Sequence, residues 1–284
     1  MAFRQGRYDP TFAVVDGCVW RASLTPDGPG SVCIEQPLSQ KPLCIPFGPG
    51  GEWLASRSLG LLGLDDVIPT IHPSHDAVRD AQKKFGALRL GRSLTPYHEL
   101  LPAVLGQRVT AIEAMRQWRE LVRDYGESAP GPISMLRLPP SPESLRSVPY
   151  YTLHKYGIER QRATTLQQVA RNGTWLINTD FSAMSASEAT TSLQRIQGVG
   201  IWTAAVAGGL AFGDPDALQV GDFHVKNTAA WALRRQIRGT DEEMVRDMAP
   251  YAGNRHRVMR WLELAGHRAP ARGARQRIVS IAHL

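Results

Sequence analysis

Near residue 70 the chain changes its periodicity, and that change bounds what it can fold into. Before it, short apolar runs alternate with turn residues. Phe12-Ala-Val-Val15 precedes Asp16-Gly17, and Cys18-Val-Trp-Arg-Ala22 precedes Thr25-Pro-Asp-Gly28. Val32-Cys-Ile34, Leu43-Cys-Ile45 and Phe47-Gly-Pro-Gly-Gly51 follow. Asp-Gly and Pro-Asp-Gly supply the dihedrals that hairpins need, so these runs read as strands. Residues 1–70 are therefore expected to form a small antiparallel β domain. After it the period is helical. Helices are expected over 72–85, 95–105, 110–125, 159–172 and 185–196, with a short one at 142–148. Ile112, Met115, Trp118, Leu121 and Val122 make a helical stripe. The expected fold is mostly α: an all-α body over 71–284 with a small β appendage, α+β overall.

A chain of 284 residues and 43% hydrophobic content can bury a substantial core. It holds no apolar run long enough to span a membrane. Its first residues, MAFRQGRYDP, lack the apolar stretch of a secretory signal, so a cytoplasmic protein, in a bacterial cytosol or nucleoid, is expected. The three cysteines, Cys18, Cys33 and Cys44, form no CxxC pair, and no cysteine follows them. A disulfide framework and a Cys-ligated iron–sulfur cluster in the helical body are not expected. The net charge is +7. Residues 223–284 carry twelve basic and five acidic side chains, so the whole excess lies there. A basic segment on a neutral body suits a polyanion such as nucleic acid; it also suits a solvated Arg-rich surface.

The strongest local signal is Leu193-Gln-Arg-Ile-Gln-Gly-Val-Gly-Ile-Trp-Thr-Ala-Ala-Val206. One helix ends at Ile196, Gly198 and Gly200 bracket Val199, and a second helix begins near Ile201. Such a reversal exposes backbone N–H groups at a helix N-terminus, where orphan donors and the helix dipole favour a phosphate. An ordinary αα-hairpin with a glycine cap would have the same sequence. Downstream, 204–211 is small and apolar, as in a buried helix. Then comes Val220-Gly-Asp-Phe-His-Val-Lys-Asn227, with Asp222 at the N-cap position of a helix over 223–235.

Gly-Val-Gly-x-x-Thr-Ala, an apolar helix and an Asp at a loop-to-helix junction resemble the helix-hairpin-helix DNA glycosylases. Trp202 and the spacing resemble most the AlkA-type 3-methyladenine glycosylases. The resemblance extends to Leu105-Gly-Gln-Arg-Val-Thr110 and to Pro250-Tyr251, and so covers most of the chain. It implies two helical lobes with the active site in the cleft between them. It implies that Asp222 stabilises the positive charge on the sugar or orients the attacking water. Bifunctional members carry a lysine two residues past the second glycine; here that residue is Trp202, which implies a monofunctional enzyme without strand cleavage. Trp202 suits a pocket wall that stacks on a cationic base, or a core position at a helix start. Tyr251 corresponds to a second aromatic wall. Gln107, Arg108, Gly198, Val199, Gly200, Thr203, His224 and Lys226 correspond to DNA-contacting positions. Arg108 stands where the wedge that fills the gap left by a flipped base is often Leu. The carbonyls of Gln194, Ile196 and Val199 correspond to a monovalent cation site (sodium or potassium), with no other cofactor implied.

The resemblance thus implies a monomer that binds double-stranded DNA with a flipped base and hydrolyses the N-glycosidic bond of alkylated purines, which starts base excision repair. A glycosylase for hypoxanthine, uracil or an oxidised base would share the fold. A non-catalytic binder of damaged DNA would keep the hairpin without needing Asp222. The aromatic stretch Tyr150, Tyr151, His154 and Tyr156 could line the pocket or pack.

Overall fold

The computed structural model describes residues 3–35 and 42–270. Strands β1 (Phe12–Val15), β2 (Cys18–Thr25), β3 (Gly28–Glu35) and β4 (Leu43–Phe47) form one antiparallel meander in chain order. Asp16 and Gly17 join the first two with φ of 50° and 77°. Both central residues are left-handed, so the turn twists with the strands it connects. One sheet face packs Trp20, Ala22 and Cys33 against Leu136 and Leu138 of the Pro-rich connector. The other packs Val32 and Ile34 on Phe3, Leu54 and Leu61.

Leu54 and Leu61 belong to two short helices, α1 (Gly51–Ser56) and α2 (Ser58–Leu61), inside the segment expected to be wholly β. The body continues with α3 (Asp76–Phe85), α4 (Pro96–Leu105), α5 (Ala111–Tyr125), α6 (Pro142–Ser147), α7 (Arg160–Arg171), α8 (Gly173–Asn178) and α9 (Ala186–Ser192). It ends with α10 (Ile201–Ala211), α11 (Phe223–Arg234), α12 (Asp241–Met248) and α13 (Arg255–Leu264). The first of these begins at Asp76 rather than at residue 72 because Pro73 steers His72 away from helical dihedrals. Tyr150–Tyr156 is a 3-10 helix whose Leu153 and Tyr156 join the core, while Tyr151 is exposed. Beyond residue 70 the described residues contain one isolated β-bridge, Ser128 to Arg137, and no strand. Among them no helix is long and apolar enough to cross a membrane.

The helices bury two cores. The larger is built by α4, α5, α7 and α10 around Leu100, Leu101, Trp118, Leu166 and Ala207. The smaller is built by α3, α11, α12 and α13 around Val78, Ala229, Met248 and Trp261. Thus α3 is packed with helices far downstream in sequence. Of the stripe on α5, Trp118, Leu121 and Val122 are buried, but Ile112 is 72% and Met115 40% exposed. The start of α5 leaves the core, and its Ala111, Ala114 and Met115 line a cleft.

Candidate active site

A cleft of about 880 Å³ opens where α10 begins, where α4 meets α5 and where α11 begins. Asp222 stands on its rim as the N-cap of α11. Its Oδ1 accepts hydrogen bonds from the backbone N–H of His224 (2.7 Å) and Val225 (3.0 Å), and its Oδ2 accepts one from Trp202 Nε1 (2.9 Å). Two N-terminal helix amides and an indole N–H fix the carboxylate and offset its charge. Capping and presentation to the cleft are therefore one arrangement. Trp202 lines the same cleft, its ring packed over Gly106: a Cβ there would lie 3.2 Å from the indole edge.

The hairpin has the expected form. Gly198 has φ of +89°, and a Cβ on it would lie 2.2 Å from Thr165 Oγ1, so both conformation and space demand glycine. Val199 is buried and its N–H donates to the Ile196 carbonyl at 3.0 Å. A Cβ on Gly200 would meet nothing within 4 Å, so that side of the turn is open. No side chain caps α10, which leaves its first N–H groups without a side-chain acceptor.

Gln107 and Thr203 line the same cleft and are bonded to each other and to the hairpin. Gln107 Nε2 donates to the Gly198 carbonyl (3.1 Å) and to Thr203 Oγ1 (2.8 Å), and Thr203 is buried. The pair pins the hairpin to the α4–α5 connection. Arg108 lines the cleft, exposed, with a left-handed φ of 58°. His224 also lines it. Lys226 is held by Asp241 at 2.8 Å, and Asp241 also accepts from the Gly221 N–H.

Tyr251 is not brought to the cleft. It is 2% exposed in the smaller core, and its hydroxyl lies 2.7 Å from His75 Nδ1. The turn Ala252-Gly-Asn254 that follows starts α13 after Tyr251 has already turned inward. Phe223, which sequence reasoning passed over, lies on the cleft rim with 61% exposure beside His224. An aromatic at the first helical position after a capping Asp, with no hydrophobic partner in register, was the available signal.

Among the described residues, five of the twelve basic side chains after Asp222 are ion-paired within the fold, Lys226 among them. Arg255 forms a two-pronged pair with Asp216 (2.8 and 2.5 Å), and Arg257, 1% exposed, a two-pronged pair with Asp66 (2.9 and 2.8 Å). Arg234 pairs with Glu243 and Asp247, and Arg260 with Glu263. Arg272, Arg275 and Arg277 lie outside the described residues.

No protein-family model and no curated protein matches the sequence. Solved structures do resemble the fold. A 3-methyladenine DNA glycosylase from Archaeoglobus fulgidus superposes with a TM-score of 0.71 at 18% identity, covering 93% of this chain and 91% of that one. The Clostridium acetobutylicum 8-oxoguanine glycosylase/lyase, in complex with DNA, gives 0.58 at 11% identity over 90% and 88%. The Schizosaccharomyces pombe 3-methyladenine DNA glycosylase, in complex with abasic DNA, gives 0.54 at 21% over 73% and 94%. The chain has the fold of the helix-hairpin-helix DNA glycosylases.

Proposed function

We propose that the protein is a monofunctional DNA glycosylase that hydrolyses the N-glycosidic bond of alkylated purines in duplex DNA. The observation that carries this reading is the Asp222 carboxylate, held by three N–H donors on the rim of a cleft beside an uncapped helix N-terminus. A carboxylate so placed stabilises the oxocarbenium character of the sugar as the bond breaks. Water is the nucleophile in this reading. No lysine is among the residues lining the cleft, and Trp202 occupies the place from which a Schiff base would be formed. The indole face suits an alkylated purine, whose positive charge both weakens its glycosidic bond and favours a π surface.

In this account the hairpin grips a phosphate beside the lesion through N–H groups of α10, and Arg108 enters the gap left by the flipped base. The carbonyls of Gln194 and Val199 accept no backbone N–H among the described residues, and Ile196 accepts only that of Val199. They fit a bound monovalent cation, which would add a positive charge against the phosphate. The test is release of free base from alkylated duplex DNA, with the strand left intact until alkali is added. Strand cleavage without alkali would refute the monofunctional reading. Release of uracil, hypoxanthine or an oxidised base instead would refute the substrate assignment.

A further inference from the structure

The cleft extends beyond its rim, and Gln5, which precedes the sheet in the chain, is among the residues that line it. Trp202, Val206 and Leu210 all line it, so it follows α10 for eight residues, about 12 Å at 1.5 Å per residue. A base whose glycosidic bond lies at Asp222 would extend inward along this wall. There the lining includes Gln5, Glu99 and Met115.

Glu99 is fully buried and committed to Arg21 at 2.5 Å. Gln5 is not committed. Its side-chain amide has no hydrogen-bond partner among the described residues; only its backbone N–H is used, donating to Asp9 Oδ2 at 2.7 Å. The segment that carries it is clamped at both ends. Phe3 is buried in the sheet-side core under the Arg21 guanidinium. Asp9, 4% exposed, accepts from the Thr11 N–H (3.0 Å), the Thr11 hydroxyl (2.8 Å) and Trp118 Nε1 (3.0 Å). Between the clamps Gly6 adopts φ of +84° against Met115, whose sulfur would lie 2.8 Å from a Cβ at that position. A buried aspartate, an internal tryptophan and a forced glycine thus fix the short segment whose Gln5 lines the cleft.

We propose that Gln5 is a specificity-determining residue that reads the N6/N7 edge of the extruded base and selects alkylated adenine over alkylated guanine. An amide offers a donor and an acceptor side by side. That pair matches the exocyclic amine and adjacent ring nitrogen of adenine, as glutamine does in a DNA groove. Guanine alkylated at its N7 presents a carbonyl beside a blocked nitrogen, and so offers the amide a single bond. The N-terminal segment thereby contributes to substrate choice, and this inference rests on the glycosylase reading above.

The experiment measures release of 3-methyladenine and 7-methylguanine from methylated duplex DNA by the full chain, its Gln5→Leu variant and its Gln5→Glu variant. Gln5→Leu should lower kcat/KM for 3-methyladenine tenfold or more and leave 7-methylguanine within about twofold. Gln5→Glu, which can accept but not donate, should fall between. Continued release of 7-methylguanine also shows that each variant is folded. If the wild type releases both bases and Gln5→Leu changes neither, or lowers both equally, the role of Gln5 is refuted while the glycosylase reading stands. If the wild type releases neither base, the glycosylase reading fails and this inference fails with it.

Discussion

Trp202 Nε1 and Asp222 Oδ2 are joined by a 2.9 Å hydrogen bond that ties the start of α10 to the N-cap of α11. The hairpin helix and the acidic residue, twenty positions apart in sequence, thereby form one unit. The indole serves as a wall of the cleft and as a positioning donor for the carboxylate. Trp202→Phe keeps the wall and removes the donor. A hydrogen bond to a charged group is worth about 1.5–3 kcal/mol. Base release by this variant should therefore fall about tenfold or more in kcat, and Trp202→Ala should fall further, with a raised KM. Steady-state kinetics on alkylated duplex DNA checks both.

Gln107 holds the hairpin through the Gly198 carbonyl and the Thr203 hydroxyl. Gln107→Ala removes both bonds and leaves the buried Thr203 hydroxyl without its donor. Thermal stability should fall by about 1–2 kcal/mol. Affinity for abasic duplex should weaken, while the dependence of log Kd on log salt stays unchanged because no phosphate contact is lost. A shallower salt dependence would show instead that Gln107 neutralises phosphate charge indirectly.

Arg257 and Arg108 should respond oppositely to substitution. Arg257 is buried against Asp66, so Arg257→Ala removes the ion pair of a largely covered carboxylate, leaving it the Leu90 N–H bond, and should cost about 3 kcal/mol of stability. Arg108 is exposed in a left-handed conformation that costs a non-glycine residue about 1 kcal/mol or more. Arg108→Gly should hold or raise Tm while lowering base release. Calorimetry of the two variants beside the release assay separates these outcomes.

Stability should fall as the solution is acidified from neutrality. Burial, with Arg260 and Arg257 nearby, lowers His256 to about 4; burial, with Arg21, lowers His98 well below its usual range. Both bind a proton more readily in the unfolded chain, whose histidines titrate near 6.5, so unfolding takes up protons between about pH 6.5 and 4. The stability present above pH 6.5 is lost through that window. His256→Gln should reduce the fall in Tm between pH 7 and pH 5. An unchanged slope would refute the neutral state of this histidine near pH 5.

Local chemistry made much of this legible in the sequence. Asp16-Gly17 demanded its hairpin, Gly198 its turn, and Asp222 its cap, because each depends on residues within a few positions. The features that were not legible depend on distant partners. Arg255 and Arg257 read as free positive charge, but Asp216 and Asp66 neutralise them from far upstream. Tyr251 read as a pocket wall, but the turn after it and His75 hold it in the smaller core. The glycines at 50 and 51 read as a turn, yet the second opens α1, whose Leu54 is buried against the sheet. Ile112 and Met115 fit the helical stripe but lie outside the core, Met115 lining the cleft and Ile112 exposed.

The most direct test of the account is base release by Asp222→Asn. Asparagine keeps the size of the side chain and an oxygen for the His224 and Val225 N–H groups, but removes the negative charge. The account predicts that this variant binds abasic duplex about as tightly as the wild type and releases alkylated purine at least a hundredfold more slowly. Wild-type rates of base release from Asp222→Asn would contradict it.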